Sequence, residues 1–393
     1  MGLFDKLKRK KELIEKNFTL YGTNCTYEQF ISAIKKYFNQ YELKYNNDLI
    51  ETKIDGYEVV FNTNKSKNEE YYKQQSLGMC NFFAKTKMPI GIQKNEILKV
   101  ISKFDSIFGV CVKEEENSQT IIEKVNIIFL DIARELNLYI LYPNMDIFNS
   151  QRKLLISYER ATSEYDVSNS ELNNLPENQK RRQISNEYIK LLGITCYENL
   201  PMIENSSEVK LKDIDTICKR AIACLLSIQI VYDIKAGEYE QSKKVVSNLL
   251  EKYEVENCLN SKEKKLFDGT YQEQDLIDLD WEYEAYWSLI WALGIIGDIS
   301  NGADVCNCDF AIKLVSESQT YEDFKSKCNL RDINEVLDML DLYYRYHWAV
   351  VDKRINPQTN IGALNSSVVV ERRRGLEWLI NNEEDWYNIS LDT

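Results

Sequence analysis

The sequence predicts an α+β domain with a small sheet, followed by a mostly α-helical domain. Three observations lead to this prediction. Asp55-Gly56 separates two runs of alternating apolar residues, the usual pattern of a β-hairpin. Apolar residues recur at helical spacing from about residue 181 onward. All six tryptophans lie between residues 281 and 386, which indicates a helical core in the second part.

The first domain is expected over residues 17–165. Its predicted strands are the two hairpin arms and three further segments: 50–54, 57–62, 107–112, 138–141 and 153–156. Its predicted helices are 27–37, 69–84, 97–104 and 121–136. No glycine-rich loop joins a strand to a helix, so the sequence predicts neither a dinucleotide site nor a P-loop.

Residues 166–180 form the predicted linker, because they are rich in Asn, Ser and Glu and lack apolar periodicity. The helical domain is expected over residues 181–393. Its predicted helices are 214–234, 239–253, 281–299, 309–316, 333–351 and 368–381. The segment 281–299 is apolar on nearly every side, which predicts a buried central helix.

The N-terminal segment 1–16 has the pattern of a basic amphipathic helix. Leu3, Leu7 and Ile14 share one side of such a helix, and lysines with Arg9 surround them. A helix of this kind can lie on an anionic membrane surface, so weak contact through residues 2–16 stays open. A frayed, solvated terminus is the interpretation that the sequence favours.

The net charge of −13 is unevenly distributed. Residues 1–200 contain 28 basic and 27 acidic side chains, whereas residues 201–393 contain 21 and 35. An acidic half repels phosphate backbones, so general nucleic-acid binding is not expected. The same charge could attract a basic protein partner. The chain has neither a secretory signal nor a long apolar run, which predicts a cytoplasmic protein.

Metal and cofactor chemistry are not expected from the residues available. His347 is the single histidine, which excludes sites with several histidines. The ten cysteines are expected to be reduced thiols, most of them small core residues. Cys306 and Cys308 form the one close pair, but no second pair lies at zinc spacing.

An acidic run between Asp268 and Glu284 contains seven carboxylates and no basic residue. One interpretation is a divalent-cation or basic-partner site, since hard cations bind clustered carboxylates. The favoured interpretation is that these acids precede and begin a helix near Trp281, where they stabilise its N-terminus.

The helix predicted over 333–351 carries a narrow polar stripe on a mostly apolar surface. At helical spacing this stripe contains Asn334, Asp338, Asp341, Arg345 and Asp352. Asp341 and Arg345 are four residues apart and can pair directly. Because an unpaired buried charge is costly, we expect partners for the stripe, with Arg331 and Arg372–Arg374 as donors.

These charged groups define a candidate polar pocket. Its members are Glu284, Arg331, Asp338, Asp341, Arg345, His347, Glu371 and Arg372. A structural ion-pair network is the favoured interpretation, and a pocket capable of acid–base or Mg²⁺ chemistry is the alternative. His347 lies on the apolar face, where a hydrogen-bonded core histidine is more common than a general base.

Several segments of the helical part resemble one protein family. The segments are WEYEAYW at 281–287, LIWALG at 289–294, LRDINEVLD at 330–338, DLYYRYHWA at 341–349 and VVERR at 369–373. They are similar to those of the bacterial domain of unknown function 4272. The resemblance implies a cytoplasmic bacterial protein with no established reaction, and some members occur near toxin–immunity or defence genes.

Two functions remain open at this point. The first is a non-catalytic binding protein with an acidic surface, in an immunity or defence role. The second is an enzyme, with Mg²⁺ as one option, that uses the candidate polar pocket of the helical domain. No catalytic motif is recognisable, which favours the first, and the sequence leaves the oligomeric state open.

Overall fold

The computed structural model describes residues 13–115, 120–168 and 170–393. The chain divides into two compact units, Met1–Ser170 and Glu171–Thr393. The first contains a sheet with helices and the second is mostly helical, so the predicted fold class is confirmed. Residues 1–12 of the predicted amphipathic segment lie outside the described residues.

The described part of the first unit contains an eight-stranded antiparallel sheet. Its strands are β1 (Leu13–Gly22), β2 (Lys44–Asn46), β3 (Leu49–Ile54), β4 (Tyr57–Asn62), β5 (Ser106–Glu115), β6 (Tyr139–Leu141), β7 (Asp146–Phe148) and β8 (Leu154–Ser157). The spatial order is β2-β3-β4-β5-β1-β6-β7-β8. Asp55 and Gly56 both have positive φ, which the tight β3–β4 turn requires.

Four helices accompany this sheet in the described residues. They are α1 (Tyr27–Tyr37), α2 (Glu69–Ala84), α3 (Ile92–Ser102) and α4 (Thr120–Leu136). Thr26 caps α1 in a capping box with Gln29. Apolar side chains of α1 and α4, including Phe30 and Phe129, pack into one core with Phe18 of β1 and Phe61 of β4.

Strand β1 corrects the prediction for the N-terminal segment. Residues 13–16 were expected to belong to a basic amphipathic helix, but they begin a ten-residue strand. This strand pairs with β5 along its whole length, from Leu13 opposite Glu115 to Gly22 opposite Ser106. Pairing with β5 explains the strand at residues 13–16, and β6 adds pairing on the other side at Thr19–Tyr21.

The second unit contains nine α-helices. They are α5 (Glu177–Leu191), α6 (Ile214–Ala236), α7 (Tyr239–Lys252), α8 (Ser261–Asp268), α9 (Glu273–Ala292), α10 (Cys308–Ser316), α11 (Tyr321–Lys325), α12 (Ile333–Ile355) and α13 (Ser366–Ile380). Helix α5 begins directly after Pro176, inside the segment 166–180 that the sequence predicts to be a linker.

Helix α9 begins and ends earlier than its predicted bounds of 281–299. The Asp275 carboxylate accepts a hydrogen bond from the Gln272 N–H at 2.9 Å, which satisfies a donor of the first turn. Gly294 follows the helix with φ of +73°, and a Cβ at this residue would lie 2.3 Å from the Asn329 carbonyl oxygen. Only glycine therefore fits the turn that ends α9.

Helix α9 lies between α6 and α13, and α12 packs against α13 and α5. Helices α9 and α13 approach closely at Gly375, where a Cβ would lie 2.7 Å from the Ala285 carbonyl oxygen. Most of α9 from Leu279 to Ala292 is buried, which agrees with the predicted central helix. No helix in the described ranges combines the length and apolar character needed to cross a bilayer.

Candidate functional site

Glu284 of α9 and Arg372 of α13 form a buried ion pair. Arg372 Nε donates to Glu284 Oε2 at 2.8 Å, and Glu284 Oε1 accepts from the Cys306 N–H at 2.7 Å. The other Arg372 nitrogens donate to the carbonyl oxygens of Asn301 and Asp304 at 2.7 and 2.9 Å. The pair therefore joins two helices to the loop that leads to α10.

Asp341 and Arg345 form the second buried pair, one helical turn apart on α12. Arg345 Nε and Nη2 donate to the two Asp341 carboxylate oxygens at 2.9 and 2.8 Å. Both side chains are almost fully buried, at 1% and 0% exposure. Arg345 Nη1 has no hydrogen-bond acceptor among the described residues, so this pair is only partly satisfied.

Arg331 and Asp338 have different partners. Arg331 donates from Nε to the Trp291 carbonyl oxygen at 2.8 Å and from Nη1 to Glu335 at 2.8 Å. It therefore caps the C-terminal end of α9. Asp338 accepts from Arg181 Nε at 2.8 Å, and its side chain is 59% exposed.

His347 and Glu371 each contact one arginine of α13. Arg373 Nη1 donates to His347 Nδ1 at 2.7 Å. Because a guanidinium can only donate, Nδ1 must be the acceptor, and we place the imidazole proton on Nε2. Arg373 also binds Glu377 at 3.1 Å and the Asp392 carbonyl oxygen at 3.0 Å. Arg374 pairs with Glu371 at 3.0 Å.

The eight candidate residues take part in several separate interactions. Two ion pairs join candidates directly: Glu284 with Arg372, and Asp341 with Arg345. Arg331, Asp338, His347 and Glu371 bind partners outside the candidate set. The donors expected for the stripe, Arg331 and Arg372–Arg374, are wrong among the described residues, because Asp338 pairs with Arg181 and Asp341 with Arg345.

The acidic run between Asp268 and Glu284 lies mostly within α9 and the preceding turn. Asp275 stabilises the first turn, as the capping interpretation expects, and also pairs with Lys265 at 3.1 Å. Lys262 pairs with Asp278, and Lys235 pairs with Asp280 at 2.8 Å. Much of this run is therefore neutralised by lysines of α6 and α8.

His347 should make stability depend on pH. Burial, together with the charge of Arg373, lowers the pKa of His347 to about 4. An unfolded histidine binds a proton near pH 6.5, so between these values the unfolded state binds more protons and acid favours unfolding. The contribution of His347 to the free energy of unfolding should thus be fully present above about pH 6.5 and fall by up to about 3 kcal/mol towards pH 4.

The variant His347→Gln isolates this contribution, because glutamine can still accept from Arg373 but does not titrate. Chemical denaturation of both proteins between pH 4 and 7 should give a shallower pH dependence for the variant. Parallel curves for the two proteins would show that His347 has an ordinary pKa in the fold.

A further buried charged cluster was missed from the sequence. Arg220 of α6 donates to a Glu263 carboxylate oxygen and to the Cys258 carbonyl oxygen, and its guanidinium carbon lies 4.5 Å from the Trp386 ring centre. Glu282 accepts from Asn260 Nδ2 at 2.8 Å. The signal in the sequence was Arg220 itself, a cation at the start of the apolar stretch of α6.

Cys224, Glu263 and Glu282 bring potential metal ligands within 4.8 Å of one another. Arg220 already supplies the positive charge that Glu263 requires. Burial, followed by the charge of Glu263, raises the pKa of Glu282 well above its ordinary value, which favours its neutral form. The cluster therefore contains an ion pair beside a carboxyl group whose neutral form burial favours.

A cavity of about 450 Å³ lies beside this cluster. The start of α6, the start of α8, Trp378 of α13 and the C-terminal segment at 384–385 line it. Four of its lining residues are basic: Lys212, Lys219, Arg220 and Lys264. Three are acidic: Asp215, Glu384 and Asp385. The volume is within the range of small-molecule sites.

The described geometry defines a chain with a sheet-containing unit and a helical unit that is held by buried ion pairs. The family model described as Domain of unknown function (DUF4272) matches residues 181–389. The chain belongs to this family, as the resemblance of its helical segments predicted. Comparison with curated proteins and with solved structures gave no match.

Proposed function

We propose that this chain is a non-catalytic binding protein whose helical unit recognises a basic protein through an acidic surface. The support is the internal pairing of its arginines. Arg220, Arg345, Arg372 and Arg373 are buried, and each pairs with a carboxylate. Such pairs are neutral, so the excess of acidic over basic residues in 201–393 falls on the remaining side chains.

Exposed carboxylates at the end of α7 are suitable groups for this interaction. Glu251, Glu254 and Glu256 are exposed within six residues of one another, and none forms an ion pair with another described residue. They differ in this respect from Asp275, Asp278 and Asp280 of α9, which have lysine partners. The proposal includes an immunity or defence role, in which the partner would be a basic toxin.

The contacts favour binding over the alternative of a carboxylate-lined enzyme pocket. Both Asp341 oxygens accept hydrogen bonds from Arg345. Both Glu284 oxygens are also occupied, one by Arg372 and one by the Cys306 N–H. A general base or a Mg²⁺ ligand needs a lone pair that can reach substrate or metal, and these two carboxylates have protein partners on each oxygen.

The test is capture of partners by the full chain at low salt, followed by reconstitution with the purified partner. The dissociation constant should rise as salt increases from about 0.05 to 0.5 M, because screening weakens attraction between surface charges. The variant Glu251→Gln/Glu254→Gln/Glu256→Gln should bind at least about tenfold more weakly. Affinity should change little in the control Glu69→Gln/Glu70→Gln/Glu159→Gln, which removes three carboxylates of the first unit.

Two outcomes would overturn the proposal. One is that no captured protein binds again when both components are pure. The other is binding that is insensitive to salt and equally affected by the two triple variants.

A further inference from the structure

We infer that the cavity between α6, α8 and α13 is a binding site for a phosphorylated small molecule. This inference is independent of the proposed protein partner, because it concerns a locally basic cavity in an acidic unit. Its basis is the set of charges that line the cavity and the partners that these charges already have.

Two of the acids that line the cavity, Asp215 and Asp385, already have partners within the protein. Asp215 pairs with Lys325 at 2.7 Å. Asp385 accepts hydrogen bonds from the Ser261 N–H at 2.8 Å and the Tyr387 N–H at 2.9 Å. Ser261 is the first residue of α8, so the positive end of that helix also offsets the Asp385 charge.

The lysines that line the cavity have fewer partners within the protein. Lys212 donates to the Glu383 carbonyl oxygen at 3.2 Å and lies 4.8 Å from the Trp378 ring centre. Lys219 lies 5.3 Å from the Tyr321 ring centre. Neither forms an ion pair with a carboxylate of the described residues, and the same holds for Lys264. Glu384 is an exposed carboxylate of the lining that forms no ion pair with another described residue.

Arg220 provides a second, independent observation. It lines the cavity and is only 3% exposed. Its Nε is buried without a hydrogen-bond acceptor among the described residues. A buried donor of this kind normally has a partner, and an ordered water can supply one.

The walls of the cavity are fixed by contacts within the fold. The Lys212 N–H donates to the Leu379 carbonyl oxygen at 2.9 Å, which joins the segment before α6 to the end of α13. Trp378 Nε1 donates to the Glu384 carbonyl oxygen at 2.8 Å, which positions the C-terminal segment. The lysines are therefore presented on a framework that is already ordered, and this reduces the entropy lost on binding.

The chemistry of the donors indicates the ligand class. Lysine ammonium groups are compact point charges that bind phosphate oxygens in charge-assisted hydrogen bonds. The cavity of about 450 Å³ has room for more than one phosphate group. Its lining also includes Leu259 and Trp378, so part of the ligand can be apolar.

Isothermal titration calorimetry with pyrophosphate and adenosine 5′-diphosphate tests this inference on the full chain. Both should bind with one-to-one stoichiometry, and citrate, a polyanion without phosphate, should bind at least about tenfold more weakly. Lys219→Gln/Lys264→Gln should weaken pyrophosphate binding at least about tenfold. Lys244→Gln/Lys313→Gln, which removes two lysines of α7 and α10 outside the cavity, should leave the affinity unchanged.

Several results would overturn the site. They are no binding of either phosphate compound up to about 10 mM, citrate binding as tight as pyrophosphate binding, or equal losses in the two double variants. If the Lys219→Gln/Lys264→Gln protein does not fold, Lys264→Gln alone gives the readout, because Lys264 is exposed. Unchanged pyrophosphate affinity in that single variant would then contradict the inference.

Discussion

Replacing Arg372 with alanine should destabilise the protein by about 3–5 kcal/mol, since removing one partner of a buried ion pair leaves the other charge unpaired. Glu284 would be that unpaired charge, at 2% exposure. The carbonyl oxygens of Asn301 and Asp304 would also lose their donor. We expect the free energy of unfolding, measured by urea denaturation, to fall accordingly.

Arg354 supplies the matched control for this variant. It is an exposed arginine in the last turn of α12, and its replacement by alanine should change stability by no more than about 0.5 kcal/mol. Similar losses in Arg372→Ala and Arg354→Ala would show that the Glu284–Arg372 pair contributes little to the fold.

The Asp341→Ala variant should have an effect of similar size, about 3–5 kcal/mol, because Arg345 would keep its charge in the interior without a counter-ion. Arg345 is fully buried and already lacks one acceptor, so the fold offers it little compensation. Denaturation with urea should show the loss as a lower midpoint with a similar slope.

Glu335 of the same helix provides a control, because its partner Arg331 is also four residues away in sequence. Arg331 and Glu335 also pair at i,i+4, but the Glu335 side chain is 52% exposed. Glu335→Ala should therefore cost no more than about 1 kcal/mol, as is typical of surface ion pairs. Equal effects of Asp341→Ala and Glu335→Ala would mean that burial does not distinguish the two pairs.

Local patterns predicted much of the fold. The bounds of α1 and α2 agree with their predicted ranges, and the β3–β4 hairpin differs by one residue. The sequence patterns that predict these elements, a helix cap or a tight turn, span only a few residues. Strands β2 and β7 were not predicted, because each has only three residues, too few to show an alternation of apolar and polar side chains, although both pair with strands close in sequence.

In the candidate site, too, local contacts could be predicted and contacts between distant segments could not. The Asp341–Arg345 pair could be predicted because both residues lie on one helix, four positions apart. Glu284 and Arg372 were both candidates, but their pairing joins residues 88 positions apart and depends on how α9 packs against α13. The cavity beside Arg220 was not predicted, because its lining comes from α6, α8, α13 and the C-terminal segment.

The central claim is that the buried charged groups of α12 and α13 hold the helical unit together. The most direct test is a double-mutant cycle with Asp341→Ala, Arg345→Met and both changes combined. We expect the double variant to be more stable than the sum of the single losses predicts, by at least about 2 kcal/mol, because it leaves no unpaired buried charge. Losses that add within about 0.5 kcal/mol would contradict the claim.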